Sequence, residues 1–180
     1  MKIDVPYYSQ HADITDESWK NRSCGIVALK ILLETTSADD TSLDDLLLEG
    51  IKINGFGPSG WKHQKLVEIA DIHGVDLERK EYRSEDVQRR ELMLGDAIET
   101  FTGLIESSKP VIVSAVKNFS EESKFHLVVL VGYEQKGTEV AGFYYHDPDA
   151  QNMDDGAYIY VEIGTFKKYF RGLAILPKIC

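Results

Sequence analysis

The stretch HLVVLVGYEQKGTEVAGFYYHD, residues 126–147, decides the fold because it reads as two strands joined by a turn. Each half is a short run rich in β-branched and aromatic residues, and residues 135–138 between the halves are typical of a turn. The runs PVIVSAV before it and AYIYVEI after it have the same character. A short helix over residues 165–170 and a last strand over residues 172–176 follow. The second half of the chain is therefore predicted to form an antiparallel sheet.

The first half has helical periodicity instead. Within residues 24–35 the apolar side chains form a wide stripe, which is typical of a helix buried on most sides; they are Ile26, Val27, Leu29, Ile31, Leu32 and Leu33. Three further helical regions are predicted from capping signals and glycines: from Thr41 or Ser42 to Gly50, from Ser59 to about His73, and over residues 84–108 with an interruption at Gly95. Residues 50–60 between the second and third regions read as a loop.

Helices followed by antiparallel strands predict an α+β fold in which the two halves meet at a cleft. No repeat, linker or low-complexity tract divides the 180 residues, so one domain spanning residues 1–180 is expected. The oligomeric state is left open by the sequence.

The charge balance limits the classes of partner. The chain has 30 acidic and 20 basic residues, a net charge of −10. A surface of that sign repels phosphate backbones, so nucleic-acid binding is not expected. No apolar run is long enough for a membrane helix or a signal peptide, so the sequence predicts a cytoplasmic protein without membrane contact.

Cys24 is placed where the first long helix begins. The unpaired N–H groups and the positive end of a helix stabilise a thiolate, and the same N–H groups can hold an oxyanion after attack on a carbonyl. Gly25 is expected to leave room for a substrate beside the backbone. The alternative interpretation is a small buried residue, since free cysteines are often buried. The other cysteine, Cys180, is the last residue, and two cysteines make no disulfide framework.

The hairpin in residues 126–147 offers His126 a partner. If the turn is centred between Lys136 and Gly137, His126 lies opposite Asp147, and opposed side chains share one face of the sheet. A carboxylate there would fix the imidazole tautomer and support the imidazolium. The alternatives are a solvated histidine at a strand start and an Asp-Pro turn at residues 147–148.

The remaining polar residues give weaker signals. His11, His63, His73 and His146 have no spacing that requires them at a site, and His146 should point to the face of the strand opposite to Asp147. The acidic cluster Asp147, Asp149, Asp154 and Asp155 does not match the EF-hand pattern and is interpreted as a solvated turn. The glycine-rich loop GFGPSG lacks the lysine of a phosphate-binding loop. No metal and no cofactor are expected.

Taken together, VPYYSQ at residues 5–10, CGIVALKILL from Cys24, HLVVLVGY from His126 and YYHDPD ending at Asp149 resemble the papain-like cysteine peptidases. The nearest resemblance is to stand-alone relatives of the bacteriocin-processing, double-glycine peptidases, and the closing TFKKYFRGLAI is also similar to them. The resemblance spans most of the chain, although residues 37–109 add little to it.

The resemblance implies a cysteine peptidase that acts on a peptide or protein substrate. Cys24 would be the nucleophile, His126 the general base and acid, and Asp147 the orienting residue. Gln10 would donate to the oxyanion beside the N–H of Cys24, a role its amide can fill. A small pair such as Gly-Gly before the scissile bond is also implied.

The chain departs from this pattern in one place. Thirteen residues, 11–23, separate Gln10 from Cys24, which is longer than usual, and this segment carries Trp19. It is expected to form a wall of the cleft or a flap. Two alternative functions stay open: amidase, deamidase, transglutaminase-like or isopeptidase chemistry with the same residues, and a catalytically silent peptide-binding module.

Overall fold

The computed structural model describes residues 1–121 and 124–178, so Cys180 lies outside the described residues. The first half is helical and the second half is built on an antiparallel sheet, which confirms the predicted α+β fold. None of the helices in the described ranges is both long enough and apolar enough to cross a lipid bilayer.

The first helix, α1 (Cys24–Ser37), is the centre of the helical half. Every residue from Gly25 to Leu33 is buried, because the apolar side chains cover almost the whole circumference of the helix. Even Lys30 is buried, and its ammonium donates to the carbonyl of Asp39 and pairs with Glu34. Two shorter helices pack beside it, α2 (Leu43–Lys52) and α3 (His63–Ile72).

The main sheet has six strands in the order β3-β8-β4-β5-β6-β7, and all neighbours are antiparallel. Their bounds are β3 (Leu77–Glu81), β4 (Val111–Val116), β5 (Phe125–Lys136), β6 (Glu139–His146), β7 (Ile159–Glu162) and β8 (Phe170–Pro177). Strand β5 is buried at every position from His126 to Tyr133, which requires cover on both of its faces. Helix α1 and the long helix α4 (Val87–Glu106) both pack against β4 and β5.

The structure differs from the predicted elements in three places. Residues 84–108 contain one helix, α4, which runs through Gly95, because a helical glycine costs only about 1 kcal/mol and the flanking side chains Leu94 and Ala97 are buried. Strand β3 was not predicted, since its sequence LERKE has the charged character of an exposed sheet edge. Helix α3 begins at His63 rather than near Ser59, because β1 (Phe56–Gly57) and β2 (Gly60–Trp61) form a small ribbon before it.

The hairpin of β5 and β6 forms as predicted, but its register is shifted by two residues. Lys136 pairs with Glu139 and Val129 with His146, so the turn is at Gly137, whose φ is +63°, and the residue after it. One further step along this register would place Asp147 opposite Val128, which makes His126 its diagonal neighbour. A shift of two residues keeps the side chain on the same face of the sheet, whereas a shift of one would have reversed it.

The indole of Trp61 joins the helical half to this framework. A Cβ built on Gly25 would lie 2.8 Å from Cβ and Cγ of Trp61, and one built on Gly50 would lie 2.6 Å from Cζ3. The Nε1–H of Trp61 donates to the carbonyl of Arg22 at 2.7 Å, which fixes the ring in this glycine-lined slot.

Helix propensity and packing make opposite predictions for Gly50 in α2. Propensity favours alanine by about 1 kcal/mol, but overpacking against a fixed ring costs about 1–3 kcal/mol. We therefore expect Gly50→Ala to lower the free energy of unfolding, measured by urea denaturation. The matched control is Gly95→Ala in α4, where a Cβ would meet nothing within 4 Å, so that variant should be neutral or stabilised. A Gly50→Ala protein that is more stable than the unsubstituted protein would contradict the close packing of Trp61 against Gly50.

Candidate active site

Cys24 is the first residue of α1, as predicted. The preceding residue, Ser23, is in the N-cap position but makes no capping hydrogen bond; its hydroxyl donates to the carbonyl of Trp19 at 2.9 Å. The N–H groups of the first turn are therefore left uncapped by this side chain, next to the Cys24 thiol. Free N–H groups at the positive end of a helix favour an anion at this point.

His126 lies at the beginning of β5 and is 6% exposed. Its Nε2 is 2.5 Å from Oδ1 of Asp147, and the His126 side chain lines the same two cavities as Cys24. Because Nε2 is engaged by the carboxylate, Nδ1 is the ring nitrogen left for the thiol. The structure thus places His126 between a cavity that it shares with Cys24 and the Asp147 carboxylate.

Asp147 is held by its own backbone and by its neighbours. Its N–H donates to the carbonyl of Gly156 at 2.8 Å, and its own carbonyl accepts from the hydroxyl of Tyr7 at 3.0 Å. The N–H of Asp149 donates to Oδ1 at 2.8 Å. These contacts hold the Asp147 carboxylate in the orientation that faces the imidazole of His126. Residues 147–148 therefore do more than form a turn.

The electrostatics favour a charged imidazole. Burial alone lowers the pKa of His126, but the negative charge of Cys24 and the hydrogen bond to Asp147 outweigh it, so the pKa is raised above its usual value. A raised pKa means that His126 keeps its proton at neutral pH, which is the state that pairs with a thiolate.

Gln10 reaches the same place from the N-terminal segment. It is 2% exposed, and its N–H donates to the carbonyl of Pro148 at 2.8 Å. It lines a cavity of about 310 Å³ together with Cys24, Phe56, Trp61, His126 and Asp149, which we call the Cys24 cleft. The amide Nε2 donates one hydrogen to Asp149, and Oε1 is buried without a hydrogen-bond partner in the described ranges. A carboxylate can only accept hydrogen bonds, so it faces the Nε2 end of the Gln10 amide and not Oε1. Asp149 therefore fixes the orientation of the amide.

Asp149 is a site residue that the sequence did not single out. Its side chain is 13% exposed; it pairs with Lys117 and accepts from Gln10 and, at 2.9 Å, from Nε2 of His11. Burial raises the pKa of Asp149, but the hydrogen bonds from Lys117 and His11 lower it by more than burial raises it. The pKa is therefore below its usual value, and the carboxylate stays charged. The interpretation of a solvated turn was wrong for Asp147 and Asp149, whereas Asp154 and Asp155 are exposed. The Asp-Pro-Asp at residues 147–149 was the available signal, but the partners of its second carboxylate are far away in sequence.

The extra segment before Cys24 contributes to one wall of the cleft. The ring of Trp19 packs on Phe56 and Trp61 with centroid distances of 5.2 and 5.9 Å, and both of those rings line the cleft. The space beside Gly25 is filled by Trp61, so the prediction that a substrate uses that space was wrong.

Two of the remaining histidines lie apart from this contact network. His73 caps the end of α3 between Asp39 and Glu49, both at 2.8 Å. His146 is fully buried, on the opposite side of β6 from Asp147 as predicted, with its ring edge-on to Tyr7 and Tyr158. Neither ring nitrogen of His146 has a hydrogen-bond partner in the described part of the chain.

The sequence comparison gives a family. The model of the Peptidase_C39 like family matches residues 2–174, nearly the whole chain. No curated protein matches the sequence.

Solved structures give the same fold. A putative C39-like peptidase from Bacillus anthracis superposes with a TM-score of 0.69 and 16% identity, covering 100% of this chain and 98% of that one. A double glycine motif protease from an AMS/PCAT transporter, in complex with its leader peptide, gives 0.61 and 16% identity, covering 98% and 94%. The peptidase domain of Streptococcus ComA gives 0.58 and 19%, covering 87% and 93%. At these identities the likeness is one of fold.

The two histidines His146 and His73 should affect stability in opposite directions as pH changes. Burial lowers the pKa of His146 to about 4, although the backbone of Pro6 acts in the opposite direction. The imidazole is therefore protonated more readily in the unfolded chain than in the folded protein. His146 therefore lowers the free energy of unfolding as pH falls from 6.5 to 4, and at pH 4 the loss is about 3 kcal/mol. We expect His146→Phe to remove this loss, measured as the difference in unfolding free energy from the unsubstituted protein at each pH.

His73→Gln is the matched control. Burial lowers the pKa of His73, but hydrogen bonds to Glu49 and Asp39 raise it above its usual value overall. Its stabilisation is therefore present at low pH and is lost as pH rises above 6.5. Parallel pH dependences for the two variants would contradict these environments.

Proposed function

Since this chain belongs to the Peptidase_C39 like family, we propose that it hydrolyses peptide bonds through a thioester on Cys24. Family membership and fold support a cysteine peptidase. The observation that carries the finer proposal is that His126, hydrogen-bonded to the Asp147 carboxylate, lines the same cavities as Cys24 at the start of α1. One structural neighbour was solved with its leader peptide, which supports a peptide as the substrate.

In the first half of the reaction the Cys24 thiolate attacks the carbonyl carbon of the substrate. The new oxyanion accepts hydrogen bonds from the first-turn N–H groups of α1 and from the free amide hydrogen of Gln10. The His126 imidazolium then gives its proton to the leaving nitrogen as the C–N bond breaks, which leaves the acyl group on Cys24.

In the second half a water molecule attacks the thioester. Neutral His126 takes the proton of the water, the C–S bond breaks, and the carboxylic acid product leaves. Asp147 keeps Nε2 of His126 engaged throughout, so Nδ1 faces the reacting atoms in both steps. Asp149 is a positioning residue, because it acts on the oxyanion through Gln10.

The first test is the alkylation of Cys24 by iodoacetamide as a function of pH, mapped by peptide mass spectrometry. We expect rapid reaction at about pH 6, and a loss of about 100-fold in His126→Ala, because an unassisted thiol with a pKa of about 8.5 is less than about 1% thiolate there. Cys180 of the same chain is the internal reference. Equal reactivity of the two cysteines across the range would exclude the proposed nucleophile.

The second test separates Gln10 from His126. Gln10→Ala should lower kcat for peptide cleavage by about 10²-fold with little change in KM, because its hydrogen bond is made to the oxyanion. Alkylation by iodoacetamide forms no oxyanion, so its rate at Cys24 should stay within about twofold of the unsubstituted rate. Asp149→Asn should give a smaller loss of the same kind, since it only orients the amide.

Cleavage in this test is measured as new amino termini in a peptide library, with free ammonia followed in parallel. Release of ammonia without new amino termini would favour an amidase. An alkylation rate that falls in Gln10→Ala as far as in His126→Ala would argue against the oxyanion role of Gln10.

A further inference from the structure

A second cleft adjoins the Cys24 site and has the opposite charge to the rest of the protein. It encloses about 610 Å³ between the segment after β3, helix α4 and the α6–β8 junction, where α6 is Ile163–Tyr169. Its lining includes five cations, Arg83, Arg90, Lys167, Lys168 and Arg171, and one carboxylate, Glu91. In a chain with net charge −10, this is a local excess of positive charge, and we call it the basic cleft.

Most of these cations have no carboxylate partner among the residues that the structure describes. Lys168 pairs with Glu121 at 2.6 Å. Arg83, Arg90 and Arg171 take part in no ion pair with any residue of the described ranges, although the chain has an excess of acidic residues. The like charges of Arg83 and Arg171 repel each other, and a bound anion would reduce this electrostatic cost.

The neighbouring His63 responds to this positive potential. Burial is the largest cause that lowers the pKa of His63, to about 4, and the charges of Arg79, Arg171 and Arg83 lower it further. Arg79 pairs with Glu81, whose charge opposes the effect, so the part that no ion pair compensates comes from Arg171 and Arg83.

Arg171 connects the basic cleft with the Cys24 site. Its Nη1 donates to Oγ of Ser114 at 3.1 Å, and its guanidinium carbon is 3.3 Å from the ring centroid of Phe125. Phe125 precedes His126, and Arg171 also lines a small cavity with Cys24 and His126. Arg171 is thus the residue that the basic cleft shares with the cavity at Cys24 and His126.

The backbone brings a second arginine up to Arg171. Gly172 has φ +68°, and a Cβ built there would lie 2.6 Å from Cγ of Arg83 and 2.8 Å from the carbonyl of Tyr82. The absence of a side chain at Gly172 thus lets Arg83 pack beside the start of β8, next to Arg171.

We propose that the basic cleft binds an acidic segment of the peptide substrate, with Arg83, Arg90 and Arg171 contacting its carboxylates. This inference rests on the proposed function for the identity of the ligand as a peptide. Guanidinium groups suit carboxylates because their planar N–H forks donate two parallel hydrogen bonds. The volume falls within the usual range of ligand sites, about 300–1,000 Å³.

Binding is tested with the Cys24→Ala protein, which leaves peptides uncut. The probes are two fluorescein-labelled octapeptides of identical sequence except that four Glu in one are Gln in the other, and the readout is fluorescence anisotropy. The Glu peptide should bind at least about tenfold more tightly, and the margin should shrink at about 0.5 M salt, where exposed charges are screened. Equal affinity for the two peptides would overturn the proposal.

The position of the site is tested with matched variants on one helix. Arg90 and Arg89 are adjacent in α4 and both exposed, but only Arg90 lines the basic cleft. Arg90→Gln should weaken binding of the Glu peptide by up to about fivefold, the usual upper range for an exposed ion pair, and Arg83→Gln/Arg90→Gln by about tenfold or more. Arg89→Gln should bind like the parent. Equal losses for Arg89→Gln and Arg90→Gln would place the binding elsewhere and refute the cleft.

Charge reversal distinguishes the loss of a specific contact from misfolding of the variant. Arg83→Glu/Arg90→Glu should prefer a Lys octapeptide over the Glu octapeptide, which a misfolded protein would not do. Loss of the Glu preference without a gain for the Lys peptide would count against direct contact.

Cleavage of a peptide library by the unsubstituted protein separates this inference from the proposed function. Specific binding by the Cys24→Ala protein without any cleavage by the active chain would support the basic cleft and refute the peptidase. Cleavage with no enrichment of Asp or Glu near the cut site would refute the cleft and support the peptidase.

Discussion

The packing of α1 against the sheet is the constraint on which the rest of the site depends. Nine consecutive buried residues follow Cys24 in this helix, and each large apolar side chain among them contributes about 1.5–3 kcal/mol by its burial. The helix can therefore neither rotate nor slide without exposing core. Its N-terminus is fixed next to the beginning of β5, so the position of Cys24 relative to His126 follows from the core rather than from contacts between the two side chains.

That constraint also explains what the sequence could predict. The continuous apolar stripe of α1 and the β-branched runs of β4 and β5 are strong local patterns, so Cys24 at a helix start and His126 at a strand start could be assigned from residues alone. The register of β5 and β6 was wrong by two residues, because the turn is centred between Gly137 and Thr138, one position later than predicted, and the sequence of the turn allows either position. The contact of His126 with Asp147 survived this error because the period of a strand is two.

Asp149 and the basic cleft could not be predicted, for a different reason. Asp149 contacts Gln10 and His11 across almost the whole length of the chain, and the arginines of the basic cleft come from α4, the segment after β3 and the start of β8. Spacing in the sequence carries no information on such contacts. The edge strand β3 was missed as well, yet its pairing with β8 is what brings Arg83 to Arg171.

The two histidines of the β5–β6 hairpin show how environment rather than sequence proximity sets their chemistry. His146 is bonded directly to Asp147 in the chain, but successive side chains of a strand point to opposite faces, so its neighbours are the rings of Tyr7 and Tyr158. Burial is the largest influence on both histidines and lowers the pKa of each. Only His126 has the thiol and the carboxylate that outweigh burial, although Asp147 is 21 residues away from it in sequence. The same fold thus keeps one buried imidazole neutral and the other charged, and the charged one faces the Cys24 cleft.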